Sequence, residues 1–182
     1  MSGSHDSTGT PSPLNSLLFT IQFTSLMGRF HLTWATVDLI TDYAICKFLN
    51  LPYEQGHLVT SGMMFGRKAR LLADLIGRSD HPNKAAILGP FNKLRGSSKR
   101  DIFAHSYVSS AGSTVTFVER SISGKFSAKA HTFTFKDLEE HVLMVTVEAD
   151  AFYNALQIKG DEVDDFANAA LSLSRKSKTS PG

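Results

Sequence analysis

Between Arg29 and Leu49 the residues Phe30, Trp34, Val37, Thr41, Ala44 and Phe48 return every three or four positions, the spacing that lays side chains along one side of an α-helix. A stripe this long and bulky commits the chain to helical packing, because other apolar faces must cover it to remove it from water. Asn50-Leu51-Pro52 closes the helix, since proline lacks an amide donor and disfavours helical geometry in the residue before it. Asp38 and Asp42, one turn apart, read as solvated face residues. Upstream, Leu14–Met27 carries two patterns: Phe19, Ile21 and Phe23 alternate as in a strand, while Leu14, Leu17, Leu18, Ile21 and Leu26 suit a helix. The helical neighbour tips the expectation to helix. Residues 1–13, dominated by Ser, Gly, Thr and Pro, are expected to form a disordered arm.

Further along, Leu58–Ile76 reads as one helix built on Met64, Leu71, Leu72, Leu75 and Ile76 and loosened by Gly62 and Gly66. Its basic trio Arg67, Lys68 and Arg70 reads first as a wet face and second as an RNA-backbone contact. Gly77–Pro82 is a turn, with Asp80 as a cap. Ala85–Leu94 is another helix, disturbed at Gly89-Pro90 and interrupted by Gly96-Ser97-Ser98. Thr114–Arg120 alternates as a strand and Lys125–Phe135 is rich in Phe, Thr and Ala; with Ser121–Gly124 between them they predict a β-hairpin over about 114–135. Two strands are marginal alone, so the hairpin must pack on the helices or on another chain. Thr134-Phe135-Lys136-Asp137 resembles a capping box and opens a helix on Leu138, Val142, Val145, Ala149, Phe152 and Leu156. A last helix runs from Gly160 to about Leu173, and residues 174–182 are expected to be a flexible basic tail. One domain over 14–173 follows from the length of 182 residues.

Chemistry concentrates in Lys99-Arg100-Asp101-Ile102-Phe103-Ala104-His105-Ser106-Tyr107, where a fixed cation, a carboxylate and an imidazole stand close together. If the segment is helical, opened by Ser98 as a cap or continued from a kinked helix before it, Arg100 and His105 can flank one phosphodiester. Asp101 and His105, at i and i+4, then share a face, which lets the carboxylate fix the imidazole tautomer. Lys93, Arg95, Lys99 and Arg100 make a local cationic patch. The plainer alternative pairs Arg100 with Asp101 or Glu119 and leaves His105 an ordinary half-buried histidine.

The stretch Arg100-Asp101-Ile102-Phe103-Ala104-His105 resembles the R-φ-X-X-X-H signature of the HEPN superfamily (higher eukaryotes and prokaryotes nucleotide-binding), in which φ is usually Asn, Asp or His. His105-Ser106-Tyr107 is similar to the H-X-Y ending of HEPN toxins that pair with nucleotidyltransferase antitoxins. A looser helical resemblance covers residues 28–108 and 136–158. It implies a mainly α, up-and-down helical bundle, with the hairpin as an insertion, and a homodimer with two motifs facing across its interface. The implied activity is metal-independent endoribonuclease cleavage, with no cofactor, an RNA substrate and an antitoxin or regulatory partner. Arg100, His105 and Asp101 are the implied catalytic residues. Lys99, Arg95, Ser106 and Tyr107 are candidates for substrate binding; Tyr107 could instead carry a nucleotidyl modification or simply pack. The alternative is a HEPN-like module that binds RNA or nucleotide without cutting, or a dimeric scaffold.

Composition sets outer bounds. A net charge of +2 gives no global basic surface, so any nucleic-acid contact must be local. Single Cys46 excludes an intramolecular disulfide framework, and no Cys/His spacing reads as a zinc site. A cytoplasmic protein is expected: the amino terminus lacks a basic leader, and Asn15, Ser16, Thr20, Gln22 and Thr24 interrupt the Leu14–Met27 run too often for a membrane span.

Overall fold

The computed structural model describes residues 13–111, 113–123 and 125–179; the expected arm lies outside them except for Pro13. The stripe identified in the sequence forms the spine. It belongs to α1 (Pro13–Phe48), a continuous helix of 36 residues that absorbs Leu14–Met27 as well and spans about 54 Å. Phe30, Trp34, Val37, Thr41 and Ala44 are buried along it, and Phe19 and Phe23 carry the stripe upstream to Phe135 and Phe117. The helix stops where expected. Asn50 takes a left-handed conformation at φ 51, its N–H bonds the Lys47 carbonyl, and the Leu51 N–H bonds the Cys46 carbonyl. That paired arrangement satisfies carbonyls the helix end would otherwise orphan.

Leu58–Ile76 is not one helix. α2 (Tyr53–Thr60) and α3 (Phe65–Arg78) are separated at Ser61–Met64, where Gly62 sits in the turn. In α4 (Lys84–Ser97) the disturbance expected at Pro90 does not break the helix. An interior proline costs about 3 kcal/mol, and burial of Ile87, Phe91 and Leu94 against α6 offsets it, with Phe91 stacked 4.7 Å from Phe152. Asn83, not Asp80, occupies the cap position before α4.

The predicted hairpin is part of a three-stranded antiparallel sheet. β1 (Tyr107–Ala111), β2 (Thr114–Ser123) and β3 (Lys125–Thr134) lie in the order β1-β2-β3. Val115 and Phe117 on β2 and Phe133 on β3 face the helices, while residues 125–130 are exposed, so the outer half of the β2–β3 ribbon stands off the body. α6 (Phe135–Leu156) begins on the capping box read from the sequence: Asp137 N–H donates to Thr134 Oγ1, and Thr134 N–H donates to the Asp137 carboxylate. These bonds hold the Asp137 carboxyl below its ordinary value. Thr134→Ala should cost about 1 kcal/mol, read as a lower urea midpoint with an unchanged slope. α7 (Gly160–Thr179) continues six residues past the expected end at Leu173, so the chain at 174–179 is helix rather than tail. Its Phe166 is buried against Tyr43, Tyr53 and His57. The fold is thus a mainly α helical bundle with a small inserted sheet, and among the described residues no helix is long and apolar enough to cross a membrane.

Candidate functional site

Everything at the motif depends on how α5 (Arg100–His105) is fixed. This single short helix cannot be stable by itself, since few of its residues are past the costly nucleating turn. Phe103 holds it. The ring is buried at 5% exposure and packs against Phe30, Phe117, Phe133 and His141 at centroid distances of 4.9, 4.8, 5.6 and 5.3 Å. The connection to α4 turns sharply at Lys99, a left-handed residue at φ 52. Ser98 is buried and does not cap α5 with its side chain; Lys99 takes the cap position. Instead the Ser98 carbonyl accepts a hydrogen bond from His141 Nε2 at 2.9 Å, tying the turn to α6.

Burial lowers the His141 pKa below its ordinary 6.5, the bond to Ser98 acting the other way and the Lys99 charge adding to the depression. A histidine held neutral on folding contributes stability that is present above 6.5 and is lost as pH falls through the depressed value. Acidification from about pH 7 to about pH 5 should therefore lower the melting temperature of the natural chain more than that of His141→Gln, which keeps an N–H for Ser98 but does not titrate.

With α5 pinned through Phe103, Arg100 opens the helix and His105 ends it. The Arg100 guanidinium lies over Trp34 and Phe65, 5.8 and 5.9 Å from their ring centroids, and its side chain is 32% exposed. Its Nη1 donates to Asp101 Oδ1 at 3.2 Å, and its Nε is buried without a partner. Asp101 thus bonds Arg100 rather than fixing the His105 tautomer, the plainer of the two expectations. At 81% exposure of the Asp101 side chain, this ion pair contributes little, at most about 1 kcal/mol, and another anion can replace it. His105 is exposed and has no side-chain hydrogen bond among the described residues.

Two open grooves meet at Arg100. The first, of about 770 Å³, brings Arg100, Asp101 and His105 together with Arg67 and Arg70 of α3 and with Asp38. The second, of about 760 Å³, runs the other way from Arg100 past Lys99, Arg95 and Asn92 to Glu119, Lys129 and His131 under the sheet. Phe65 and Gly66 line both. They open α3, where the Arg67 and Lys68 N–H groups donate to the Met64 carbonyl.

The remaining expected site residues fall differently. Arg95 and Lys99 line the second groove, but Ser106 and Tyr107 line neither. Ser106 Oγ is buried without a partner, so it offers no hydroxyl to a phosphate in solvent. Tyr107 is 59% exposed on the sheet, with the Arg120 guanidinium 3.8 Å above its ring. Lys93, counted in the cationic patch, bonds Glu148 at 2.6 Å instead.

Asp42 and Lys68 are not the solvated face residues the sequence suggests, whereas the Asp38 side chain stays 38% exposed. Lys68 is 6% exposed, and its ammonium bonds Asp42 at 2.8 Å and Asp38 at 3.1 Å. Burial works to lower the Lys68 pKa, yet the two carboxylates reverse the effect and leave it raised; burial also raises the Asp42 pKa, with Lys68 opposing. A basic residue at i next to Ala69 and one turn from Leu72 was the available signal: it shares the inner face of α3, not the outer one with Arg67 and Arg70. Among the described residues no three His, Cys, Asp or Glu side chains are grouped so as to hold a metal ion. Comparison with protein-family models, curated proteins and solved structures finds no match to this chain.

Proposed function

We propose that this chain is a metal-independent endoribonuclease of the HEPN type, a cytoplasmic protein acting as the toxin or defence component of a regulated system. The observation that carries this reading is the common border of Arg100 and His105 on one open groove that Arg67 and Arg70 also line. A phosphodiester lying there meets a guanidinium anchored on two aromatic rings and an exposed imidazole. His105 takes the proton of the ribose 2′-hydroxyl or gives one to the departing 5′ oxygen. Arg100 exchanges its weak bond to Asp101 for the phosphate and stabilises the charge that builds on the phosphoryl oxygens. The 2′ oxygen bonds to phosphorus as the bond to the 5′ oxygen breaks, leaving a 2′,3′-cyclic phosphate and a 5′-hydroxyl. In this reading Asp101 holds Arg100 only until the phosphate displaces it, and a second copy of the chain supplies the facing motif of a homodimer; an antitoxin partner would cover the groove.

The engagement of Arg100 by Asp101, Trp34 and Phe65 also favours a second reading, an RNA- or nucleotide-binding module or dimeric scaffold that does not cut. One experiment separates them. Purified natural chain, Arg100→Ala and His105→Ala are incubated with mixed RNAs in excess chelator, and the ends are identified. Cyclic-phosphate ends made by the natural chain and lost in both variants support the nuclease; intact RNA that is nevertheless bound supports the module.

A further inference from the structure

We infer that the second groove holds the continuation of the same nucleic acid as a single strand, which crosses Arg100 and passes between the α4–α5 turn and the underside of the β2–β3 ribbon, where Lys99, Arg95 and Lys129 take its phosphates. The inference rests on the reading of the Arg100 groove as an RNA site and adds the strand's path and its single-stranded character.

Continuity comes first. Phe65, Gly66, Arg100 and Asp101 border both grooves, so a chain leaving the His105 side over Arg100 enters the second groove directly. Charge comes next. Arg95, Lys99 and Lys129 have no carboxylate partner among the described residues: Arg95 bonds Asn92, and Lys99 lies over the Phe133 ring. Lys129 stands opposite Glu119 in the strand register, where an ion pair would be the ordinary outcome. The Glu119 carboxylate goes to His131 Nε2 at 3.1 Å, and Lys129 is left free. Unpaired cations on an exposed surface cost solvation nothing, but three of them along the two banks of one groove, with Arg100 between, form a track for a polyanion.

The ribbon itself supplies the third observation. In the β2–β3 register Glu119 and Lys129, then Phe117 and His131, then Val115 and Phe133 form one face. Its inner end is buried on Phe103, and its outer end therefore overhangs the second groove. Cations on opposing banks reach a thin strand lying between them from both sides, whereas a duplex resting on the rims would meet fewer of them. At the floor, Trp34 is 6% exposed, lines the groove, and has an indole N–H without a partner.

The test uses the full chain carrying His105→Ala, so that the probe is not consumed, and anisotropy of a labelled single-stranded RNA of about 12 nucleotides, within the range of known single-strand site sizes. Lys129→Ala in that background should weaken binding and reduce the slope of log affinity against log salt by about 0.7, and adding Arg95→Ala should reduce it by about as much again. Lys93→Ala, whose ammonium is held by Glu148 outside the groove, should leave the slope unchanged. The same sequence as a duplex should bind more weakly. An unchanged slope and affinity in Lys129→Ala, equal or tighter binding of the duplex, or no binding of either probe overturns the inference. Cleavage by the natural chain is scored separately. Loss of cleavage in Arg100→Ala with a Lys129-independent slope removes the path and keeps the nuclease, while Lys129-dependent binding without any cleavage does the reverse.

Discussion

Replacing Lys68 with methionine is expected to destabilise the protein by about 3–5 kcal/mol, because removing one partner of a buried ion cluster strands the charges that remain. Asp42 is the residue most exposed to that loss: its side chain is 16% exposed and 2.8 Å from the ammonium. Burial already raises its pKa with Lys68 in place, and without the cation the desolvation is unopposed except by the Thr60 hydroxyl. Asp38 already reaches solvent with a 38% exposed side chain, but Asp42 cannot turn outward without dragging α1, which is fixed there by Val37 and Thr41. A denaturant titration reads the effect directly, with Arg70→Ala, an exposed change on the same helix, shifting stability within about 0.5 kcal/mol. Adding Asp38→Leu and Asp42→Leu to Lys68→Met should restore much of the loss, since a buried ion cluster replaced whole by apolar groups costs little. A loss well under the expected range in the single variant would mean that water reaches the cluster. While Asp42 and Asp38 stay ionised, the Lys68 contribution is present below its ordinary value of 10.5 and is lost as pH rises through the raised folded value. The cluster also borders the Arg100 groove through Asp38. Lys68→Met therefore places uncompensated negative charge beside the proposed phosphate path and should weaken RNA binding in the fraction that stays folded.

Periodic, locally determined features were the legible ones. The α1 stripe, its Asn50 stop, the Thr134–Asp137 box and the β2 alternation each depend on residues within one or two turns, and each stands as read. What stayed hidden depends on residues far apart. β1 is five exposed residues, Tyr107-Val108-Ser109-Ser110-Ala111, with no buried face to leave a period; only pairing with β2 makes it a strand. The break at Ser61–Met64 lies inside a helical pattern that Gly62 only loosens, and it lets α2 pack on α7. Pro90 reads as a breaker and is overruled by the burial of Phe91. At the site the motif residues were legible as a group, and Arg100, Asp101 and His105 do share a groove. The contribution of the ribbon was not, because Lys129 is 29 residues downstream and reaches the second groove only through the sheet register. The same distance effect hid Lys68, which α3 carries to Asp38 and Asp42 across 30 and 26 residues of sequence.

The other large effect expected is on chemistry. His105→Ala should lower the RNA cleavage rate by about 10²–10⁴-fold, the range a positioned general acid or base contributes. His105 is exposed and its side chain makes no hydrogen bond among the described residues, so its removal should leave the melting temperature where it was and act on turnover alone. Arg100→Ala is expected to lose about 10²–10³-fold, as for removal of one donor to a developing oxyanion. This change has a second route to inactivity, because the guanidinium also covers Trp34 and Phe65 and its loss opens the top of the core. Arg100→Lys distinguishes the routes: it keeps a cation and much of the apolar stem but cannot present a planar fork to phosphate, so a catalytic role predicts a folded protein with most of the rate still missing. Asp101→Asn points the opposite way, removing the carboxylate that competes with phosphate for Arg100; it should tighten RNA binding and leave cleavage at or above the natural rate. If cleavage instead falls with Asp101→Asn as steeply as with His105→Ala, the carboxylate acts on the imidazole in the bound complex, and the bond to Arg100 is only its resting position. On the proposed nuclease reading the double variant Arg100→Ala with His105→Ala should be no slower than the worse single change, since there the two groups act on one transition state as a unit.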